Sequence, residues 1–322
     1  MTWLITGGAG FIGAHVVRAM AAAGERTVVL DDLSTGSADR LPPGVPLETG
    51  TVLDRATVDR VLREHAVTGI VHIAGKKQVA ESVARPLYYY RENVEGIRVL
   101  LEAAAEAGTG RFLFSSSAAV YGMPDVDLVT EDTPCAPINP YGESKLAGEW
   151  LVSAVGRAHG MATASLRYFN VAGAATPELG DAGVFNLVPM VFERLDAGER
   201  PRVFGDDYPT PDGTCVRDYI HVEDIASAHV AAARRLAADP DASLVLNIGR
   251  GEGVSVTEMI DVIREVTGHR DAAVEVTGRR PGDPARVVAA ADRIHAELGW
   301  TARHGVKEMV ASAWAGWRRR HP

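Results

Sequence analysis

Between residues 2 and 167, short β-branched apolar runs alternate with longer segments whose apolar positions recur every three or four residues. The spacing predicts strands at 2–6, 26–30, 69–74, 111–115 and 163–167, and helices at 11–23, 54–65, 88–107 and 140–158. Strands separated by helices pair only through crossover connections, so the chain is expected to form βαβ units and a doubly wound parallel sheet, an α/β fold of the Rossmann type. After residue 173 the pattern loosens into a Gly/Pro/Asp-rich stretch at 205–213, a helix at 222–238 and shorter elements up to residue 317. No repeat, low-complexity linker or sharp boundary interrupts it. The expected organisation is a sheet domain over 1–173, to which a segment near 214–240 returns, and a smaller α/β lobe over 174–322. The cleft between them is the expected ligand site.

Composition narrows the partners. Lys plus Arg number 33 against 42 Asp plus Glu, a net charge of −9, and the one basic cluster is Arg318-Arg319-Arg320. Nucleic acid is not expected as a partner, because neutralising phosphates needs a clustered positive surface. The two cysteines, Cys135 and Cys215, match neither a metal-ligand nor a redox spacing, so no metal is expected and a reducing compartment is. Neither a secretory leader nor an apolar run of about 18 residues is found, so the expected setting is cytoplasmic, away from membranes.

Residues 7–13, Gly-Gly-Ala-Gly-Phe-Ile-Gly, lie directly between the first strand and the first helix. Gly7 permits a tight turn, Gly10 lets the backbone approach a pyrophosphate, and Gly13 lets the helix pack close to the strand. The helix start, including Phe11 and Ile12, offers free N–H groups and a positive dipole end to phosphates. A Gly-x-x-Gly-x-x-Gly alone is a weak signal, but the second strand ends about 20 residues on in Asp31-Asp32. A carboxylate there accepts hydrogen bonds from an adenosine ribose and repels a 2′-phosphate, so the cofactor expected is NAD, with Asp31 on the ribose and Asp32 second.

Asn139-Pro140-Tyr141-Gly142-Glu143-Ser144-Lys145 reads as a helix start, with a capping residue and a proline at the first helical position. Tyr141 and Lys145 then share a face. A phenol is a poor base at neutral pH, but a nearby ammonium favours its phenolate, which makes Tyr141 the expected general base and Lys145 its electrostatic support. Upstream, an apolar strand runs into Ser115-Ser116-Ser117. Ligands of parallel sheets bind beyond the carboxyl ends of strands, which puts Ser117 within reach of a substrate hydroxyl.

On these residues the chain resembles the UDP-glucose 4-epimerase branch of the extended short-chain dehydrogenase/reductase family. The resemblance also takes in Asp31-Asp32-Leu33-Ser34, His72-Ile73-Ala74-Gly75, residues 115–122, Arg167-Tyr168-Phe169-Asn170 and, most specifically, residues 205–221. It implies inversion at C4 of a UDP-hexose. Tyr141 takes the proton of the 4-hydroxyl, Ser117 assists, the C4 hydride passes to NAD, and the 4-keto sugar receives it back on its other face. It further implies cofactor contacts from Ser34, Ala74, Lys77, Asn93, Ser115 and Tyr168. Asn170, Asn186, Arg217, Tyr219, Val287 and Arg280 are implied for the UDP-sugar, with Asp283 on the uridine ribose, and the assembly implied is a homodimer. The Ala-rich helices at 92–107 and 143–158 are expected to pair in it through small side chains.

Three positions depart from the family pattern. Gly50-Thr51 stands where Gly-Asp usually reads the adenine, and Asp54 lies too far along to replace it. Ala119 replaces a common threonine, and Val287 stands where some members carry a tyrosine against the sugar 2-substituent, so N-acetylated sugars are an expected alternative. UDP-uronate and UDP-pentose 4-epimerases stay open, and a non-catalytic NAD-binding regulator is a weaker alternative. A 4,6-dehydratase is disfavoured, because Ala118 and Ala119 leave no acid/base pair beside Ser117.

Overall fold

A computed structural model describes residues 1–280 and 282–321. In its first part the elements are β1 (Thr2–Thr6), α1 (Phe11–Ala22), β2 (Arg26–Asp31), β3 (Leu47–Thr49), α2 (Arg55–Glu64), β4 (Gly69–His72), α3 (Val79–Ala84), α4 (Pro86–Tyr89), α5 (Gly96–Glu106), β5 (Arg111–Ser117), α6 (Pro140–His159) and β6 (Ala162–Tyr168). There follow β7 (Asn170–Ala172), α7 (Leu187–Asp196), β8 (Arg202–Phe204), β9 (Val216–His221), α8 (Val222–Ala238), β10 (Ser243–Ile248), β11 (Gly253–Ser255), α9 (Val256–Thr267), β12 (Glu275–Thr277), β13 (Arg286–Val287), α10 (Asp292–Leu298) and α11 (Val306–Arg320).

Seven strands form one parallel sheet in the order β10-β6-β5-β4-β1-β2-β3. Every residue of β1, β4 and β6 is buried, as expected of strands covered on both faces by helices. The strand order reverses at β1, so the carboxyl ends of β1 and β4 flank the crevice where such sheets bind ligands.

On one face α8 lies along α1, and Ala226, Ala228, Ala232 and Ala233 join Val16, Val17 and Met20 in one buried cluster. On the other, α2, α5 and α6 cover Leu4, Leu30, Ile70 and Phe112. The chain therefore leaves the sheet for β9, which pairs with β7, β11 and β13 in a small separate sheet, and re-enters it through α8 and β10. A third cluster built on Phe192, Ile260, Met309 and Trp317 packs α7, α9 and α11 together.

The helix expected at 88–107 is interrupted. It starts at Pro86, makes a π-helical turn over Tyr90–Glu95 and resumes as α5. The wider turn carries Asn93 inward, 5% exposed, to bond Lys76 and Ser144, which is a use that π turns often have. Among the described residues no helix is long and apolar enough to cross a membrane.

Candidate active site

The turn from β1 to α1 is built as its glycines require. Gly7 has φ +69°, and a Cβ on it would stand 2.7 Å from the Ala74 nitrogen; a Cβ on Gly13 would collide with the Gly7 carbonyl. α1 starts at Phe11 with no side-chain cap and no acid in its first turn, which leaves its end free for an anion.

Asp31 closes this loop from β2. Its carboxylate accepts the N–H of Ala9 at 2.9 Å and that of Leu33 at 2.8 Å. Leu33 takes the left-handed region, φ +56°, which few L-residues do, and this bond helps to hold it there. Two oxygens have about four acceptor positions, so Asp31 keeps capacity for ribose hydroxyls. Asp32 accepts the N–H and the hydroxyl of Ser34, at 2.9 and 2.6 Å. Burial raises its pKa, the Ser34 bonds and the Lys76 charge lower it, and the balance falls below the ordinary value.

These groups face a cleft of about 260 Å³. Of the residues expected at the cofactor, all line it except Asn93, which stands behind its wall and fixes the backbone of Lys76. Thr51 and Val52 line the end next to Asp31 and Asp32, while Asp54 turns away to cap α2, accepting from Ala56 N–H and the Thr57 hydroxyl. Lys76, Arg40 and the far-wall pair Asp181 and Phe185 also line the cleft and were not foreseen. Thr51 had a signal, as a departure; Arg40 and Asp181 had none, because they face the cleft only through the packing of the two parts of the chain.

At the inner end stand Tyr141 and Lys145, on the first turns of α6, which Asn139 caps by accepting from Gly142 N–H at 2.9 Å. Lys145 stands one helical turn beyond Tyr141, and its ammonium is turned toward β5. Lys145 Nζ donates to the Ser115 carbonyl at 2.9 Å and lies 6.0 Å from the Tyr141 ring centre. Burial pushes the Tyr141 pKa up, and the opposing influence is the Ser117 hydroxyl. Burial also lowers Lys145 to about 8, against the raising effect of Glu149. Ser117 ends β5 and also accepts from Ala119 N–H at 3.2 Å.

The residues expected at the substrate are more scattered. Arg217 and Asp283 form an ion pair, and the Arg280 guanidinium lies over the Phe204 ring, 3.6 Å from its centre. Asn186 borders a small cavity that shares Phe11 and Asp181 with the main cleft. Asn170 is exposed at the start of β7, Val287 packs against Val120, Tyr121, Leu146 and Phe169, and Tyr219 is buried among the α7 and α9 side chains.

Among the described residues one other cluster resembles a ligand set: His221, Glu223 and His304. The two imidazoles stack, 4.2 Å between centres and 23° between planes, so their in-plane lone pairs run side by side instead of converging on one ion. His221 Nδ1 already accepts Glu223 N–H, which suits packing better than a metal.

Residues 3–249 match the NAD dependent epimerase/dehydratase family. The chain belongs to that family. It is 44% identical to a UDP-glucose 4-epimerase of Azospirillum brasilense, over 98% of this chain and 91% of that one. A crystal structure of UDP-glucose 4-epimerase from Bifidobacterium longum in complex with NAD+ and UDP superposes with TM-score 0.92 at 38% identity, covering 100% of this chain and 99% of that one. One from Stenotrophomonas maltophila, with bound NAD and formylated UDP-arabinopyranose, gives 0.94 at 37% identity with the same coverage.

Proposed function

We infer that the chain interconverts UDP-galactose and UDP-glucose by inversion at C4, with NAD held through turnover. The observation that carries this reading is one cleft lined from the glycine turn and Asp31 at one end to Ser115, Tyr141 and Lys145 at the other. The cradle fits the cofactor. The turn between β1 and α1 would hold the pyrophosphate, Asp31 and Asp32 the adenosine ribose, and Lys77 and Tyr168 the inner end. Bound NAD supplies a hydride acceptor that becomes the donor for the return step.

Tyr141 moves the proton of the sugar 4-hydroxyl, and Ser117, at the end of β5 beside that phenol, orients the sugar oxygen. Lys145, largely ammonium at neutral pH, sets the charge around them. The UDP-sugar runs from this point onto the second lobe, with Asn170 and Val287 near the sugar, Asn186 and Arg217 near the diphosphate, and Arg280 and Asp283 near the uridine. Tyr219, buried beneath Arg217, supports that region from below. Residues 1–173, with 214–240 returning toward them, form the NAD part, and 174–322 mainly the UDP-sugar part. The chain acts as a cytoplasmic homodimer. Ala119 and Val287 are small enough to leave room at the sugar, which favours N-acetylated UDP-hexoses as additional substrates.

The test is to incubate the purified protein with UDP-galactose and no added cofactor, and to assay the denatured protein for released NAD. Formation of UDP-glucose with NAD present upholds the reading. NAD without conversion replaces the hexose by a uronate or pentose, and neither would leave a regulator. Tyr141→Phe is expected to lose about 10²–10⁴-fold in turnover while keeping its NAD.

A further inference from the structure

His229 is a titratable group that the reaction does not use. It is fully buried on α8. Its Nδ1 lies 2.8 Å from the carbonyl of Ile225, one turn back on the same helix, and its Nε2 lies 2.5 Å from the Tyr168 hydroxyl. That hydroxyl is in turn 2.7 Å from Ser115 Oγ. Tyr168 and Ser115 both line the NAD cleft, and the Ser115 carbonyl receives Lys145.

The directions of these bonds follow from the ends of the chain. A carbonyl can only accept, so the proton of the imidazole is on Nδ1. Burial holds the His229 pKa down to about 4, so the ring is neutral and Nε2 is a bare acceptor. The Tyr168 hydroxyl must then donate to His229. Its lone pairs are left for Ser115, which must donate to it. No proton in the series is free to point elsewhere, and Ser115 Oγ can offer the cleft only lone pairs.

We propose that His229 is a positioning residue: by accepting the Tyr168 hydroxyl it fixes the ring of Tyr168 and the polarity of Ser115, and so shapes the inner wall of the NAD cleft without touching cofactor or substrate. This rests on the reading of that cleft as the NAD site. An imidazole in a helix facing a sheet could equally well have packed as an apolar side chain does, and His229→Leu would then cost stability alone. If it positions Tyr168, removal leaves a buried hydroxyl without a partner, and the wall turns to find one.

The readouts are the NAD content of the purified protein, the rate at which NAD leaves on dialysis, and kcat and KM for UDP-galactose. His229→Leu is expected to release NAD about tenfold faster and to lower kcat with little change in KM, the scale of one lost buried hydrogen bond. His229→Gln, whose amide oxygen can accept the same bond, is expected to stay within about threefold of the wild type on that scale. In Tyr168→Phe the hydroxyl is gone, so adding His229→Leu should change NAD release no further, a strongly non-additive cycle.

The proposal is overturned if His229→Leu keeps wild-type NAD release and kcat while only its melting temperature falls. Equal further losses from His229→Leu with and without Tyr168→Phe overturn it too. Should His229→Leu not fold, His229→Gln is compared with the double variant, which removes the Tyr168 hydroxyl together with its acceptor; equal NAD release by those two overturns the proposal. A wild type that carries no NAD defeats the cofactor reading first, and this inference with it. A wild type that carries NAD but does not convert UDP-galactose defeats the choice of substrate and leaves the release measurements to decide here.

Discussion

Lys145 is 7% exposed, with its ammonium on the Ser115 carbonyl and the Phe114 ring 5.1 Å away. Burial lowers its pKa from 10.5 to about 8, so between those values the unfolded chain binds more protons than the folded one. Stability therefore rises with pH across this window: the cost of burying the charge is full below about 8 and gone by about 10.5, about 3 kcal/mol in all. Urea unfolding of wild type and Lys145→Met, both saturated with NAD, should show the wild type gaining on the variant as pH rises from 7.5 to 10. Parallel curves would refute a buried ammonium. That the pair sits on one helix face was legible in the sequence, because Tyr141 and Lys145 are four residues apart. The phenol's environment was not, because it is set by burial and by Ser117, which arrives from another element.

The junction of β1 and α1 shows the same division between local and distant information. Gly13 faces the Gly7 carbonyl with no room for a methyl group, and the obstacle is backbone, which cannot rotate away. Gly13→Ala is expected to destabilise the fold by about 3 kcal/mol and to weaken NAD retention sharply. A variant with wild-type melting temperature and NAD content would show that the helix can shift. Thr2–Thr6, 26–30 and the helices around them were readable because each carries its own periodicity. β3 was not. Its three residues follow Pro42, Pro43 and Pro46, and its place at the sheet edge comes from pairing with β2. β10 has an apolar run, Leu244-Val245-Leu246, but its return beside β6 is a matter of topology that a local pattern does not contain. The serines of β5 divide likewise. Ser115 turns to Tyr168, while Ser116 on the opposite face bonds Glu149 at 2.5 Å, itself held by Nε and Nη2 of Arg167. Neither partnership is visible in the run Ser115-Ser116-Ser117 itself.

At the scale of the whole molecule, the helices expected to pair in a homodimer present both small and large side chains. The small residues of α5 and α6 divide: Ala103 and Ala104 are buried and a Cβ on Gly148 would press into the Phe114 ring, while Ala154 and Ala158 are exposed. α6 also turns Trp150 outward, 66% exposed, and the adjoining α3 and α4 expose Val83 and Leu87 at 64% and 83%. Large apolar side chains left in water at this density fit an isologous contact better than a free surface, since burying each one yields about 1.5–3 kcal/mol. The purified chain is therefore expected to sediment as a dimer, and Trp150→Glu together with Leu87→Glu to sediment as a monomer at micromolar concentration. The effect should reach the site. Trp150 stands nine residues, two and a half turns, beyond Tyr141 on the helix that also carries Lys145. Freeing its outer face loosens the element on which Tyr141 and Lys145 stand, so the monomeric variant should release NAD faster than the wild type while its isolated chains remain folded. A wild type that sediments as a monomer, or a monomeric variant with unchanged NAD release, would separate the cleft's integrity from the assembly.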